Sequence, residues 1–228
     1  MNEKLRDLFM KYRDVMVHLE VRNAQGDYGS GSAFHVGEGV LVTARHVVEG
    51  NTVTAITLTE CCADRLQLVG EPLFHPDPTV DVAVLKIGEV GRLEPAPLGS
   101  HLDDWLVDRD WVLTRALVLG YPPIPFAKEP VLVAATAEVH CILDVREGRH
   151  PLFILSAIPR GGFSGGLVIS ERGFVLGVVT ESLVHNGGPA ETGFFGCLTV
   201  EPILCCLAHH MVLPKAQQEG WQEFGAFL

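Results

Sequence analysis

"PRGGFSGGLVIS", residues 159–170, crowds four glycines around one serine, Ser164, and then runs straight into Leu167, Val168 and Ile169. Glycine weakens a strand unless the backbone must bend unusually there or be approached closely. Either these glycines make only a tight turn, or they serve Ser164.

A serine hydroxyl is a poor nucleophile unless a base takes its proton and a third group orients the base. Candidates for both lie upstream. "VLVTARHVVEG", 40–50, carries His46 just after an apolar strand. "HPDPTVDVAVLKI", 75–87, carries Asp81 at the opening of another, where aspartate is disfavoured on propensity grounds. Each has a plain alternative: His46 as a strand-end histidine, Asp81 as a strand cap.

The rest of the chain surrounds these motifs with strands. Leu5, Leu8, Phe9 and Tyr12 recur at helical spacing and predict a short helix over 3–12. Val15, Val17, Leu19 and Val21 then alternate with polar residues, as in a half-buried strand. A second strand at 31–36, "GEG" and "VLVTA" give hairpin grammar. "TVTAITL", "RLQLVGEPLF" and "DVAVLKI" are further strands. Residues 93–110 carry prolines and acids and read as a link. Strands resume with "WVLTRALVLGY", "PVLVAATAEVHCI", "LFILSAI", "GLVIS", "FVLGVVTES" and "TGFFGCLTV". "VEPILCCLAHHMVL" reads as a closing helix, and residues from about 214 as a loose tail. Many short strands between turn signals mean an all-β sandwich or barrel.

Composition narrows the partners. The chain has 228 residues, 47% hydrophobic, and a formal charge of -11. That balance argues against nucleic acid or an anionic membrane, both of which need a basic face. The N-terminal twenty residues are broken by charges and hold no apolar signal core, so the expectation is a cytoplasmic protein. Six cysteines without CxxC spacing, and no secretion signal, read as reduced thiols rather than a disulfide framework. No HExxH motif is present, and neither a metal nor a cofactor is expected.

"GSGSAFHV…VLVTARHVV", "DVAVLKI" and "GGFSGGLV", in that order, resemble the chymotrypsin/trypsin-like serine protease superfamily. The bacterial trypsin-like and HtrA-like branch is the most similar, here without that branch's PDZ peptide-binding module. The resemblance covers roughly residues 14–205. It implies two packed six-stranded antiparallel β-barrels with short terminal helices, all one peptidase domain over 1–228. The first barrel, about 14–95, would hold His46 and Asp81. The second, about 110–200, would hold Ser164, and a helix would follow at about 201–212. It implies Ser164 as nucleophile, His46 as general base and then acid, and Asp81 as the group that fixes the imidazole. The backbone N–H groups of Gly162 and Ser164 would form the oxyanion hole. The glycines of the opening stretch would then turn those donors inward and keep Cβ atoms away from the nucleophile.

Phe163 departs from the pattern. In the secreted trypsin-like enzymes of the resembled superfamily this position is an Asp that pairs with a newly cut N-terminus, and in the HtrA-like branch it is often an Asn; phenylalanine can do neither job. The resemblance also places a primary specificity pocket, with its floor near Ile158 and walls at Thr180 and Gly196. None of the three is acidic, so lysine and arginine should be rejected and leucine, valine or methionine preferred. The implied function is a serine endopeptidase acting on protein or peptide substrates through an acyl-enzyme. Its restraint in the cytoplasm would fall to a regulatory protein partner, an oligomer or the oxyanion loop. Two rivals remain: a protease fold that only grips peptides, and an acyl hydrolase. "GFSGG" fits G-x-S-x-G by letters, but that motif needs a helix after the serine and a histidine downstream.

Overall fold

Period-two alternation organises this chain into two antiparallel sheets. The computed structural model describes residues 3–58, 61–99, 111–143, 150–157, 161–183 and 194–221. A helix α1 (Glu3–Tyr12) comes first. The first sheet holds β1 (Met16–Arg22), β2 (Tyr28–Gly37), β3 (Val40–Thr43), β4 (Thr52–Leu58), β5 (Cys61–Arg65), β6 (Leu73–Phe74) and β7 (Ala83–Lys86). Its seven strands are ordered β5-β4-β1-β2-β3-β7-β6. A short helix α2 (Arg45–Val48) follows β3 directly.

The second sheet is a closed six-stranded barrel, ordered β10-β13-β12-β11-β8-β9. It is built from β8 (Arg115–Gly120), β9 (Val133–Leu143), β10 (Leu152–Leu155), β11 (Leu167–Ser170), β12 (Val175–Leu183) and β13 (Phe194–Thr199). Helices α3 (Val200–His209) and α4 (Lys215–Trp221) follow it. The all-β class expected from the sequence is what the chain adopts; of the two expected six-stranded barrels the second closes, while the first sheet holds seven strands because the short β6 adds an edge beside β7.

The alternation sorts each strand between two cores. Phe34, Val36, Val40, Val42 and Val84 share one cluster with Leu117, Leu119, Tyr121 and Leu167, which glues the two sheets together. Their strand neighbours Ala33, Leu41, Ala83 and Leu85 face the other side and pack on Val17 and Leu19. In the barrel, Val118 and Val168 turn inward to Trp111, Phe153, Phe163 and Phe195.

Three local expectations are corrected. "RLQLVGEPLF" is not one strand: it breaks at Gly70, whose φ of +75 leaves the extended region, and only a bridge from Leu68 to Ile87 spans the gap. "WVLTR" opens as a turn, with Leu113 at φ +66, before β8 begins. Residues 214–221 are not a loose tail. Gln217, in α4, is buried; its amide group donates to the carbonyls of Val36 and Ala96 at 2.7 and 2.9 Å and accepts the Leu98 N–H at 2.8 Å. A helix anchored through a buried glutamine is not announced by hydrophobic periodicity.

Candidate active site

Register brings His46 to Asp81. In the β3–β7 ladder Thr43 stands opposite Ala83. The chain leaves β3 into α2 and places His46 three residues beyond Thr43. It enters β7 two residues after Asp81, so both side chains emerge at the same sheet end. Asp81 grips His46 twice: one oxygen accepts the backbone N–H at 2.9 Å, and the other bonds Nδ1 at 2.8 Å. The grip fixes the ring orientation and leaves Nε2 as the nitrogen on the far edge. Both side chains are half-buried. Arg45 turns away, with its Nε and NH2 donating to Glu49 and its guanidinium over the Phe74 ring.

The Ser164 segment reaches the same place from the barrel. The Ser164 carbonyl accepts the N–H of Ser32, in β2, at 2.9 Å. Gly165 N–H donates to Val179 and Gly166 N–H to Phe163, both at 2.8 Å. Gly165 has φ +79, and a Cβ on it would press on the Ser32 carbonyl, Thr43 Oγ1 and the Ala44 nitrogen. That contact with Ala44, two residues before His46, is how close the loop lies to α2. Gly162 has φ +89, and its missing Cβ makes room for the Tyr121 carbonyl and Pro122. Among the described residues, no backbone carbonyl takes the N–H of Gly162 or Ser164.

Phe163 turns into the barrel core. It is 4% exposed and meets Phe195 edge to face at 6.2 Å. An apolar anchor thus sits where the resemblance would put a polar side chain. Thr180 and Gly196 come together across β12 and β13, with the Thr180 hydroxyl directed at the Gly196 carbonyl at 3.5 Å. Ile158 lies outside the described residues. Among the described residues no group of three His, Cys, Asp or Glu side chains is placed to hold a metal ion. None of their helices is long and apolar enough to cross a membrane.

Sequence reasoning missed Ser32, Thr43 and Tyr121, which tie the two halves together behind the site. Thr43 Oγ1 donates to the Ser32 carbonyl at 2.7 Å, and Tyr121 N–H donates to Ser32 Oγ at 2.8 Å. No local sequence signal marks Ser32: its strand already mixes glycine, serine and histidine with apolar residues, and its burial shows only in the fold.

A model of the trypsin-like peptidase domain matches residues 31–178, which hold His46, Asp81 and Ser164. The chain belongs to the trypsin-like peptidase family. It is 29% identical over 166 residues to a probable periplasmic serine endoprotease DegP-like of Bartonella henselae, covering 72% of this chain and 30% of that one. A protein of the same description from Buchnera aphidicola is 25% identical, over 73% of this chain and 33% of that one. The chain thus spans about a third of the length of the curated relatives it matches. The fold is similar to the HtrA-type protease AlgW with tripeptide, at TM-score 0.66 and 21% identity, covering 93% of this chain and 64% of that one. It is similar too to the Rv3671c protease of M. tuberculosis in its active form, at TM-score 0.69 and 19% identity, covering 91% and 85%. The trypsin-like peptidase family is therefore where this chain falls, and the proteins it resembles are DegP-like and HtrA-type proteases.

Proposed function

We propose that this peptidase domain cleaves peptide bonds with Ser164 as nucleophile. His46 takes the Ser164 proton at Nε2 as the hydroxyl attacks the scissile carbonyl. Asp81 holds the ring in the tautomer that leaves Nε2 free to accept, and stabilises the imidazolium that forms. The carbonyl oxygen, now an anion, is met by the N–H groups of Gly162 and Ser164. His46 then protonates the departing amine, and the acyl-enzyme on Ser164 is released when water, deprotonated by His46, repeats the attack. The observation that carries this reading is the pair of hydrogen bonds between Asp81 and His46, at 2.8 and 2.9 Å. A histidine with no task needs no such orientation.

For specificity, Thr180 and Gly196 support a pocket wall without charge, with Ile158 its floor. A lysine or arginine there would lose its hydration without gaining a partner. Leucine, valine or methionine is the preferred residue before the cut, and a peptide-library cleavage profile tests it: dominant cutting after a basic residue refutes the pocket.

A fluorophosphonate probe tests the nucleophile. It should label one residue, Ser164, and Ser164→Ala should remove labelling and turnover together. Labelling on another serine overturns the assignment. A folded protein that binds peptides but is never labelled would be a peptide-binding module instead.

A further inference from the structure

The oxyanion loop needs something to hold it, and Phe163, being uncharged, cannot do so by an ion pair. Ser32 touches the loop on both sides of Phe163. Its side-chain Oγ donates to the Gly162 carbonyl at 2.6 Å. Its backbone N–H donates to the Ser164 carbonyl at 2.9 Å. The same Oγ accepts the Tyr121 N–H at 2.8 Å, which fixes its rotamer and commits its own hydrogen to Gly162. The Ser32 carbonyl in turn accepts from Thr43 Oγ1, at the end of the strand that leads into His46. Ser32 is fully buried, so water offers no substitute for any of these bonds.

We propose that Ser32 is a positioning residue for peptide-bond cleavage, holding the Gly162–Ser164 backbone so that both flanking N–H groups face the developing oxyanion. The inference rests on the function proposed above. Glycine at φ +89 has no side chain to limit its rotation, so the orientation of the peptide after Gly162 must be set from outside. The Oγ bond fixes the Gly162–Phe163 peptide, the Gly166 N–H on the Phe163 carbonyl fixes the peptide that carries the Ser164 N–H, and the Ser32 N–H holds the Ser164 carbonyl beyond it. A serine from the first sheet thereby sets the geometry of a loop that belongs to the barrel.

The test compares wild type with Ser32→Ala, which removes only the side-chain grip, and with Ser32→Cys, whose thiol is a weaker donor of similar size. The readouts are kcat and KM on a fluorogenic peptide, inhibition by a peptidyl aldehyde that forms a tetrahedral adduct, and active-site titration with a fluorophosphonate. Ser32→Ala is expected to lower kcat by about 10- to 100-fold, below the loss seen when an oxyanion donor is removed outright. KM should stay within about threefold, because ground-state binding does not use the hole. The aldehyde inhibition constant should rise in step with the loss in kcat/KM, and Ser32→Cys should fall between. A Ser32→Ala enzyme with kcat near wild type overturns the proposal. So does a loss that tracks only the titratable fraction, because that is a folding defect. If Ser32→Ala does not fold, Ser32→Cys decides by the same numbers. If wild type is not labelled at Ser164, the peptidase reading fails and Ser32 falls with it; normal wild-type labelling with unaffected Ser32 variants overturns Ser32 alone.

Discussion

The two halves of the site are held by opposite physics. His46 and Asp81 are fixed by charge and hydrogen bonding at the rim of the first sheet, where both remain half-exposed. The Ser164 loop is fixed by close backbone approach and by Phe163 sunk among Trp111, Phe153 and Phe195. One half therefore tolerates loss of packing but not of polarity, and the other tolerates neither a side chain on its glycines nor a charge at position 163. This difference explains how a phenylalanine can stand beside Ser164: the barrel offers an apolar socket, and Ser32 fixes the loop by polar contacts from the first sheet.

The largest expected effect breaks the polar half. Asp81→Asn keeps the shape and the acceptor for the His46 backbone N–H, but its amide favours the wrong imidazole tautomer. In a Ser-His-Asp triad the same change costs about 10⁴ in kcat, and a fall of that order is expected here with little change in melting temperature. Activity within about tenfold of wild type would mean that Asp81 is a structural cap.

The apolar half should break the other way. Phe163→Ala empties a buried socket and is expected to cost about 3–4 kcal/mol of stability, read as a lower midpoint in urea unfolding. Phe163→Asp should cost more, because the carboxylate would lose its hydration among the apolar side chains of Trp111, Phe153 and Phe195. A Phe163→Asp variant as stable as wild type would show that the anchor works by charge after all.

A third variant sharpens the comparison at a point remote from Ser164. Gln217→Ala leaves the Val36 and Ala96 carbonyls and the Leu98 N–H without their buried partner. About 2 kcal/mol of stability is expected to go. Fluorophosphonate labelling at room temperature should remain close to wild type, since α4 docks on β2 and the segment around Ala96 rather than on the loop.

Legibility follows locality. His46, Asp81 and Ser164 each stand in a short motif whose residue types contradict ordinary strand preference, and register then brings His46 and Asp81 into contact. Strand alternation likewise reveals the all-β class. Ser32 is invisible in the sequence because its role depends on Gly162 and Tyr121, more than eighty residues away. Phe163 stands out as unusual but cannot be placed, since its partner Phe195 sits on a strand that meets it only after the barrel closes. The helix α4 escapes because the side chain that anchors it, Gln217, is polar.

The smallest expected effect concerns the seam between the halves in acid. His75, beside β6, is 5% exposed, and its ring meets His150, before β10, edge to face at 5.6 Å. Burial above all pushes both imidazoles below the usual histidine range. Asp77 opposes this at both rings and Glu201 at His150, while His150 and His209 add to it at His75. A depressed folded pKa means that the unfolded chain binds the extra protons, so stability is full above the ordinary value of about 6.5 and is lost as pH falls through it. Below that point the loss deepens until the folded-state values are reached, where two neighbouring cations would face each other across the seam. Melting temperature should therefore fall between about pH 7.5 and 5. His18 and His35 are lowered by burial as well, so His75→Phe combined with His150→Phe should flatten that slope in part. A slope identical to wild type in the double variant would assign the acid sensitivity to His18 and His35, inside the first sheet, and remove the seam from the account.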